Sequence, residues 1–259
     1  MKDVARCSFE EKNDLYHVEI PRLMLELSYN GTLYHGWQIQ PEKPTVQGAL
    51  ETVLSRLNSN IPVAVVGCGR TDTGVHARQY FAHVDGFTGD TYQLVYKLNK
   101  MLPNDIVVHA TARSSLHARF DAKRRTYRYY IRKTKDAFDY PFRWIMERPL
   151  NVELMNLACT FLLGKHDFAS FAKHDSDVAS TLCEIVEIGW EEDANEFIFT
   201  VSANRFLRNM VRALVGTLVD VGLEKIAPEE VRLILEKRDR CEASESVPAQ
   251  GLFLWQVTY

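Results

Sequence analysis

The sequence predicts an α+β protein with a mostly antiparallel sheet, and three features carry that expectation. Runs of alternating apolar and polar residues recur along the chain, and two of them, 184–190 and 196–202, are close enough to pair as a hairpin. Helical patterns fall between groups of strands instead of after every strand, so the helices are expected to one side of the sheet. Neither a Gly-x-Gly-x-x-Gly turn after a strand nor a phosphate-gripping Lys-Ser/Thr ending appears, which argues against a parallel nucleotide-binding sheet.

Residues 1–20 are polar and charged and read as a loosely tied extension. Leu23, Leu25 and Leu27 then alternate with Met24, Glu26 and Ser28 in a strand over 23–29 that ends at the Asn30-Gly31 turn. Thr45 is placed to cap a helix whose apolar face is Val46, Leu50, Val53, Leu54 and Leu57. Val63, Ala64, Val65 and Val66 read as a buried strand, with 80–84 as its return. Leu94, Val95, Leu98 and Met101 share one face of a helix over 91–101, stopped by Leu102-Pro103.

A strand is expected at 105–110. Another follows at 126–133, with Tyr127, Tyr129 and Ile131 facing one way and Arg128, Tyr130 and Arg132 the other. Asn151 is placed to cap a helix running to Leu163 and closed by Gly164. After the hairpin comes the longest helical pattern, 206–223, with Phe206, Met210, Val211, Leu214, Leu218 and Val221 in its buried stripe. Pro228 opens one more helix, and 252–257 is a last strand.

At 259 residues, 46% hydrophobic and 25% charged, the chain has the composition of an ordinary globular protein. Its net charge of -3 means that any affinity for nucleic acid has to come from segregated charge. Such segregation is present: nine Lys and Arg residues between Arg113 and Lys135 are opposed by Asp121 alone, while acids gather at 10–14 and 191–196. The five cysteines are odd in number, widely spaced and free of CxxC pairs, which speaks against a disulfide framework or zinc site and for a reducing, cytoplasmic compartment. No apolar run approaches membrane-spanning length.

Three stretches carry chemistry. In "GCGRTDTGVHARQ", residues 67–79, Asp72 stands on a glycine-hinged loop between Arg70 and Arg78. A guanidinium beside a carboxylate offsets the cost of desolvating its charge in a partly dry cleft, which leaves a competent nucleophile or general base. A surface turn with a structural Asp-Arg pair fits the same letters. His76 can be a base or hold a structural hydrogen bond, and Cys68 reads as a small apolar filler. In "RRTYRYYIRK", residues 124–133, arginines suit phosphates and tyrosines suit unstacked bases. In "NRFLRNMVRALVG", residues 204–216, Arg208 and Arg212 are four apart and so share a helical face, from which an arginine can reach a cleft carboxylate or lie along the surface.

Taken together with "YNGTLYHGWQIQ", "TVQGALE", "LNKMLPNDI", "HARFDAKRRTYRY", "GKHDFASF" and "PAQGLFLWQV", these blocks resemble, in order and over 23–259, the TruA-type tRNA pseudouridine synthases. The resemblance implies the pseudouridine synthase fold: two ferredoxin-like α+β halves, here 21–115 and 116–259, forming a central mostly antiparallel sheet with a cleft between them. It implies an isomerase that converts uridine to pseudouridine at positions 38, 39 and 40 in the anticodon arm of tRNA, without cofactor or metal, as a homodimer. By the same resemblance Asp72 is the nucleophilic aspartate and Arg70 helps extrude the target nucleotide. Tyr127 stacks on the uracil, its hydroxyl being a candidate for removing the final proton, and Arg212 pairs with Asp72.

Substrate contacts beyond these are expected from Arg119, Arg124, Arg125 and Arg128, with Gln38, Gln40 and His76. The first twenty residues and the stretch 174–181 depart from the family's pattern. Two other functions compete. A silent RNA-binding protein of the same fold would tolerate loss of Asp72. A nucleoside glycosidase would need a second carboxylate, for which Asp121 is the nearest candidate, although its basic surroundings suit a structural ion pair.

Overall fold

The computed structural model describes residues 22–173 and 180–259. The extension expected over 1–20 lies outside the described residues, as does most of the divergent stretch 174–181. Among the described residues, ten strands form one sheet with helices packed on it, and the α+β expectation holds. The elements of the first half are β1 (Arg22–Tyr29), α1 (Val46–Leu57), β2 (Val65–Gly67), β3 (His76–Val84), α2 (Leu94–Met101) and β4 (Ile106–Ser114). Those of the second are β5 (Arg124–Arg132), β6 (Trp144–Ile145), α3 (Val152–Thr160), β7 (Gly164–Asp167), β8 (Leu182–Glu192), β9 (Glu196–Ala203), α4 (Met210–Gly222), α5 (Glu230–Lys237) and β10 (Leu252–Thr258).

The main sheet runs β4-β1-β3-β10-β5-β9-β8-β7, with β2 paired to β3 and β6 to β5. Every pairing is antiparallel except β10 with β3 and β5 with β6. The carboxy-terminal strand therefore sits at the centre, with Leu254 opposite Ala77 on one side and Tyr127 on the other. Its continuous Leu-Phe-Leu run suits a strand covered on both faces.

Two hydrophobic cores flank this central strand. Leu23, Leu25 and Leu27 pack with Leu50, Leu54, Leu94 and Leu98 in the first. Full burial of each leucine contributes about 1.5–3 kcal/mol relative to exposure. Phe168, Phe171, Phe197 and Phe199 pack with Met210, Leu214 and Leu218 in the second. Leu254 and Val257 of β10 belong to the first core and Leu252 to the second, while Tyr127 packs against both. The two helix caps read from the sequence form: the Thr45 side chain accepts a hydrogen bond from Gly48 N, and that of Asn151 from Leu154 N, each worth about 1 kcal/mol.

The structure corrects several boundaries. Ala64 is exposed and Val63 partly so, and β2 is a three-residue partner of β3 with only Val65 fully buried. β3 begins at His76, inside the motif loop, and β4 extends to Ser114. Met101 is 40% exposed and lies off the buried face of α2. Residues 206–209 are not helical. Asn209 has a left-handed φ of 65° and turns the chain into α4, so Arg208 and Arg212 do not share a helical face. β6 and β7 have no counterpart in the sequence reading.

Candidate active site

Asp72 sits in the 68–75 connection between β2 and β3, and its neighbours are clamped from the first half of the protein. Cys68 N donates to Phe81 O at 2.8 Å, and Trp37 N to Thr71 O at 3.2 Å. The Thr71 and Tyr29 hydroxyls bond at 2.8 Å, Gly74 N reaches Tyr34 O at 3.3 Å, and the Tyr80 hydroxyl donates to Gly69 O. Trp37 stacks on Tyr80 at 4.1 Å behind this loop. The backbone is thus fixed on both sides of a carboxylate whose own side chain remains 32% exposed.

Gly36 permits this clamping, because it has φ +83° and a Cβ there would lie 2.3 Å from Thr71 O. Gly36→Ala is expected to cost about 2 kcal/mol or more, lowering Tm by roughly 4–8 °C. An unchanged melting temperature would contradict this clamp.

Arg212 reaches Asp72 from the opposite wall. One Nη lies 4.0 Å from Asp72 Oδ2, and Nε donates to Val247 O at 2.7 Å, which orients the guanidinium. Tyr127, half-buried on β5, meets Phe206 edge-on at 5.1 Å. Burial above all, with Cys68 and Asp72 nearby, pushes its phenol well above the ordinary tyrosine value. A phenol in this setting is neutral around pH 7. Burial pushes the Cys68 thiol up to about 11, in keeping with a packing role.

Asp72, Arg212 and Tyr127 line one cleft of about 1470 Å³. Arg70, Arg119, Gln38 and Gln40 line it as well, with Gln40 Nε2 donating to His35 O at 2.7 Å. Lys173, Arg205, Arg208 and Arg240 add positive charge to its walls. Of these, Arg240 and Lys173 escaped the sequence reading: Arg240 comes from a segment with no motif of its own, and Lys173 lies just past the 164–171 block. Arg205 and Phe206 stood inside a highlighted block but were not singled out as contacts.

Other expected contacts lie elsewhere or are otherwise engaged. Arg125 borders the cleft, but its guanidinium donates to the carbonyls of Ala122, Asn204, Cys68 and Arg119 at 2.7–3.0 Å and ties the walls together. Arg124 and Arg128 alternate with Arg125 and Tyr127 along β5 and so point from the other face of the sheet. Arg128 there lies 4.4 Å over the Trp255 ring. Asp121 makes no structural ion pair among the described residues, but accepts a hydrogen bond from His117 N at 2.7 Å.

His76 is buried outside the cleft. Its Nδ1 accepts from Gly31 N at 3.0 Å, so Nε2 carries the proton toward Gln250 O, and the ring stacks on Phe253 at 4.6 Å. Burial lowers its pKa to about 4 from an ordinary 6.5. The unfolded chain therefore binds the extra proton first, so stability is fully present above pH 6.5 and falls as pH drops toward 4, by on the order of 2–3 kcal/mol. Urea unfolding at pH 7 and pH 5 should show a larger loss for the wild type than for His76→Gln, and equal losses would contradict this assignment.

Among the described residues, no group of three His, Cys, Asp or Glu side chains could hold a metal ion, and no helix is long and apolar enough to cross a membrane. A lone carboxylate facing an arginine, inside an aromatic-walled and strongly basic cleft, defines an enzyme built to work on an anionic, base-bearing polymer. Comparison with known proteins agrees with that class. The pattern of the tRNA pseudouridine synthase family matches residues 158–259. The chain is 45% identical over 242 residues to tRNA pseudouridine synthase A of Parabacteroides distasonis, covering 92% of this chain and 96% of that protein. It is 44% identical over 245 residues to the protein of that name from Porphyromonas gingivalis, and 40% over 244 residues to the one from Bacillus subtilis. These alignments cover 92% of this chain in both cases, and 97% and 99% of the respective relatives. The chain belongs to the tRNA pseudouridine synthase family, whose members are isomerases, and its sheet is consistent with the pseudouridine synthase fold.

Proposed function

We propose that this protein converts uridine to pseudouridine at positions 38, 39 and 40 of the tRNA anticodon arm, with Asp72 as the nucleophile. The placement of Asp72 beside Arg212 and Tyr127 in one basic cleft is the observation that supports this reading most. The glycosidic bond of a stacked uridine is out of reach, so the nucleotide is extruded into the cleft, with Arg70 at the rim assisting. The Asp72 carboxylate bonds to the flipped nucleotide, the C1'–N1 bond breaks with N1 taking a proton from water, and the bond to Asp72 breaks again before the product leaves. The uracil turns against the Tyr127 ring, C5 joins C1', and the C5 proton is lost, so atoms and charge balance without an added reactant. Arg212, oriented by Val247 O, faces the Asp72 carboxylate across the cleft.

The halves 21–115 and 116–259 are read as the two jaws of the cleft, and the protein as a cytoplasmic homodimer in which one tRNA touches both subunits. Recognition rests on phosphates and shape, as the arginine-rich walls suit, which is how one cleft serves adjacent positions. The test is chemical mapping of pseudouridine in an unmodified tRNA transcript carrying uridine at 38, 39 and 40. Modification confined to those positions is the expected result, and modification only outside the anticodon arm would overturn the assignment.

A further inference from the structure

The connection between β4 and β5 holds an apolar ring in an unusual setting. Phe120 is 75% exposed, yet its backbone is tightly fixed. His117 Nδ1 accepts from both Arg119 N and Phe120 N at 3.1 and 3.2 Å, and Asp121 closes the turn by accepting His117 N and donating its own N–H to His117 O. Behind it, Ala118 N donates to the buried His83 Nδ1 at 3.0 Å, and the Tyr259 hydroxyl to Ala118 O at 2.6 Å. The Phe120 ring lies on His117 at 4.3 Å and 29°, with the Arg119 guanidinium 5.7 Å from its centre.

Exposing a phenylalanine on a rigid turn forgoes the burial that normally stabilises such a ring. The turn's hydrogen bonds fix the backbone, and the stack on His117 holds the ring at the surface. Among the described residues, the exposed large apolar side chains that line the Asp72 cleft are Ile39 and Phe120, and Phe120 alone is aromatic. The surrounding walls are basic, so the occupant that fits both features carries negative charge and a flat apolar face. An unpaired nucleotide does so, and a preordered ring binds it with little loss of conformational freedom.

We propose that Phe120 is a stacking site for a second, unpaired base of the tRNA anticodon loop, separate from the uracil held at Tyr127, with Arg119 taking the adjoining phosphate. The site would hold the loop open while the target nucleotide is extruded. This rests on the tRNA reading above. Its own content is that a base, not merely the RNA backbone, is bound at the 117–121 turn.

The test uses an anticodon stem-loop RNA carrying 2-aminopurine at each loop position in turn, with the wild-type protein and Phe120→Ala, Phe120→Leu and Phe120→Trp. Stacking predicts quenching at one position in the wild type and in Phe120→Trp. It predicts that Kd rises about tenfold in Phe120→Ala and in Phe120→Leu, which keeps apolar bulk without a π face. Because the ring is exposed, all four proteins should melt alike. Wild-type affinity in Phe120→Ala, or full rescue by leucine, would overturn the proposal. So would a change of oligomeric state in Phe120→Ala, which would make the ring a contact between copies. Absence of quenching at every loop position in a wild type that still makes pseudouridine sinks this proposal alone. A wild type that binds and quenches but makes no pseudouridine sinks the enzymatic reading alone.

Discussion

Asp72→Asn is expected to lower the rate of pseudouridine formation by roughly four orders of magnitude or more while leaving the affinity for tRNA within a few-fold of wild type. The substitution keeps the side chain's size, so the clamped loop around it has no reason to move. Its stability effect should be small, because the carboxylate is 32% exposed and lies 4.0 Å from Arg212, a separation at which an accessible ion pair contributes little. What is lost is the negative charge and the lone pair that forms or relays a bond. Removing an acid from among the arginines that line the cleft is not expected to weaken its attraction for phosphate. Single-turnover rates and filter-binding affinities on the same preparation separate the two effects. A rate within tenfold of wild type would remove Asp72 from the chemistry.

Arg212 carries the second large effect. Its Nε is committed to Val247 O, and this bond sets the direction in which the remaining nitrogens face Asp72. Arg212→Gln leaves a carboxylate without its cation in a partly dry cleft, and a loss of roughly 10²–10³-fold in kcat follows if the charge acts on the reacting centre. Lysine restores the charge as a single point but not the fork that reaches both Val247 O and Asp72, so Arg212→Lys should fall between. A loss carried by kcat with KM little changed separates a role at Asp72 from simple phosphate binding, which would appear in KM. Arg208, whose main-chain carbonyl accepts Lys173 N, borders the same cleft and is a useful comparison.

The sequence exposed the Asp72 loop because glycines and two arginines surround an aspartate there, because the flanking valines and Tyr80 mark strands on either side, and because the block resembles that of a known family. β1 was equally open to inspection, since Leu23, Leu25 and Leu27 all face one core. Other features depended on the fold. Arginines at 124, 125 and 128 look alike as letters, but the two-residue period of β5 sends Arg125 toward the Tyr127 side and its two neighbours to the other. Arg125 is then occupied by four carbonyls drawn from three segments, a use that no local pattern announces. Asn209 interrupts an otherwise continuous helical stripe through a left-handed backbone angle, and apolar periodicity is blind to that. β7 is short, polar and at the sheet's edge, so hydrophobic alternation could not mark it. Arg240 and Lys173 enter the cleft because the chain folds back on itself, and only the tertiary structure brings them there.

The most direct test follows the proton that the isomerisation must release. In tRNA transcribed with tritium at C5 of uridine, each new C5–C1' bond frees one tritium to water, whatever the order of the earlier steps. The wild-type protein, given that tRNA alone, should release tritium in proportion to the uridines at positions 38, 39 and 40, and Asp72→Asn should release almost none. Binding of the tRNA without tritium release by the wild type, or equal release by the two proteins, would contradict the account.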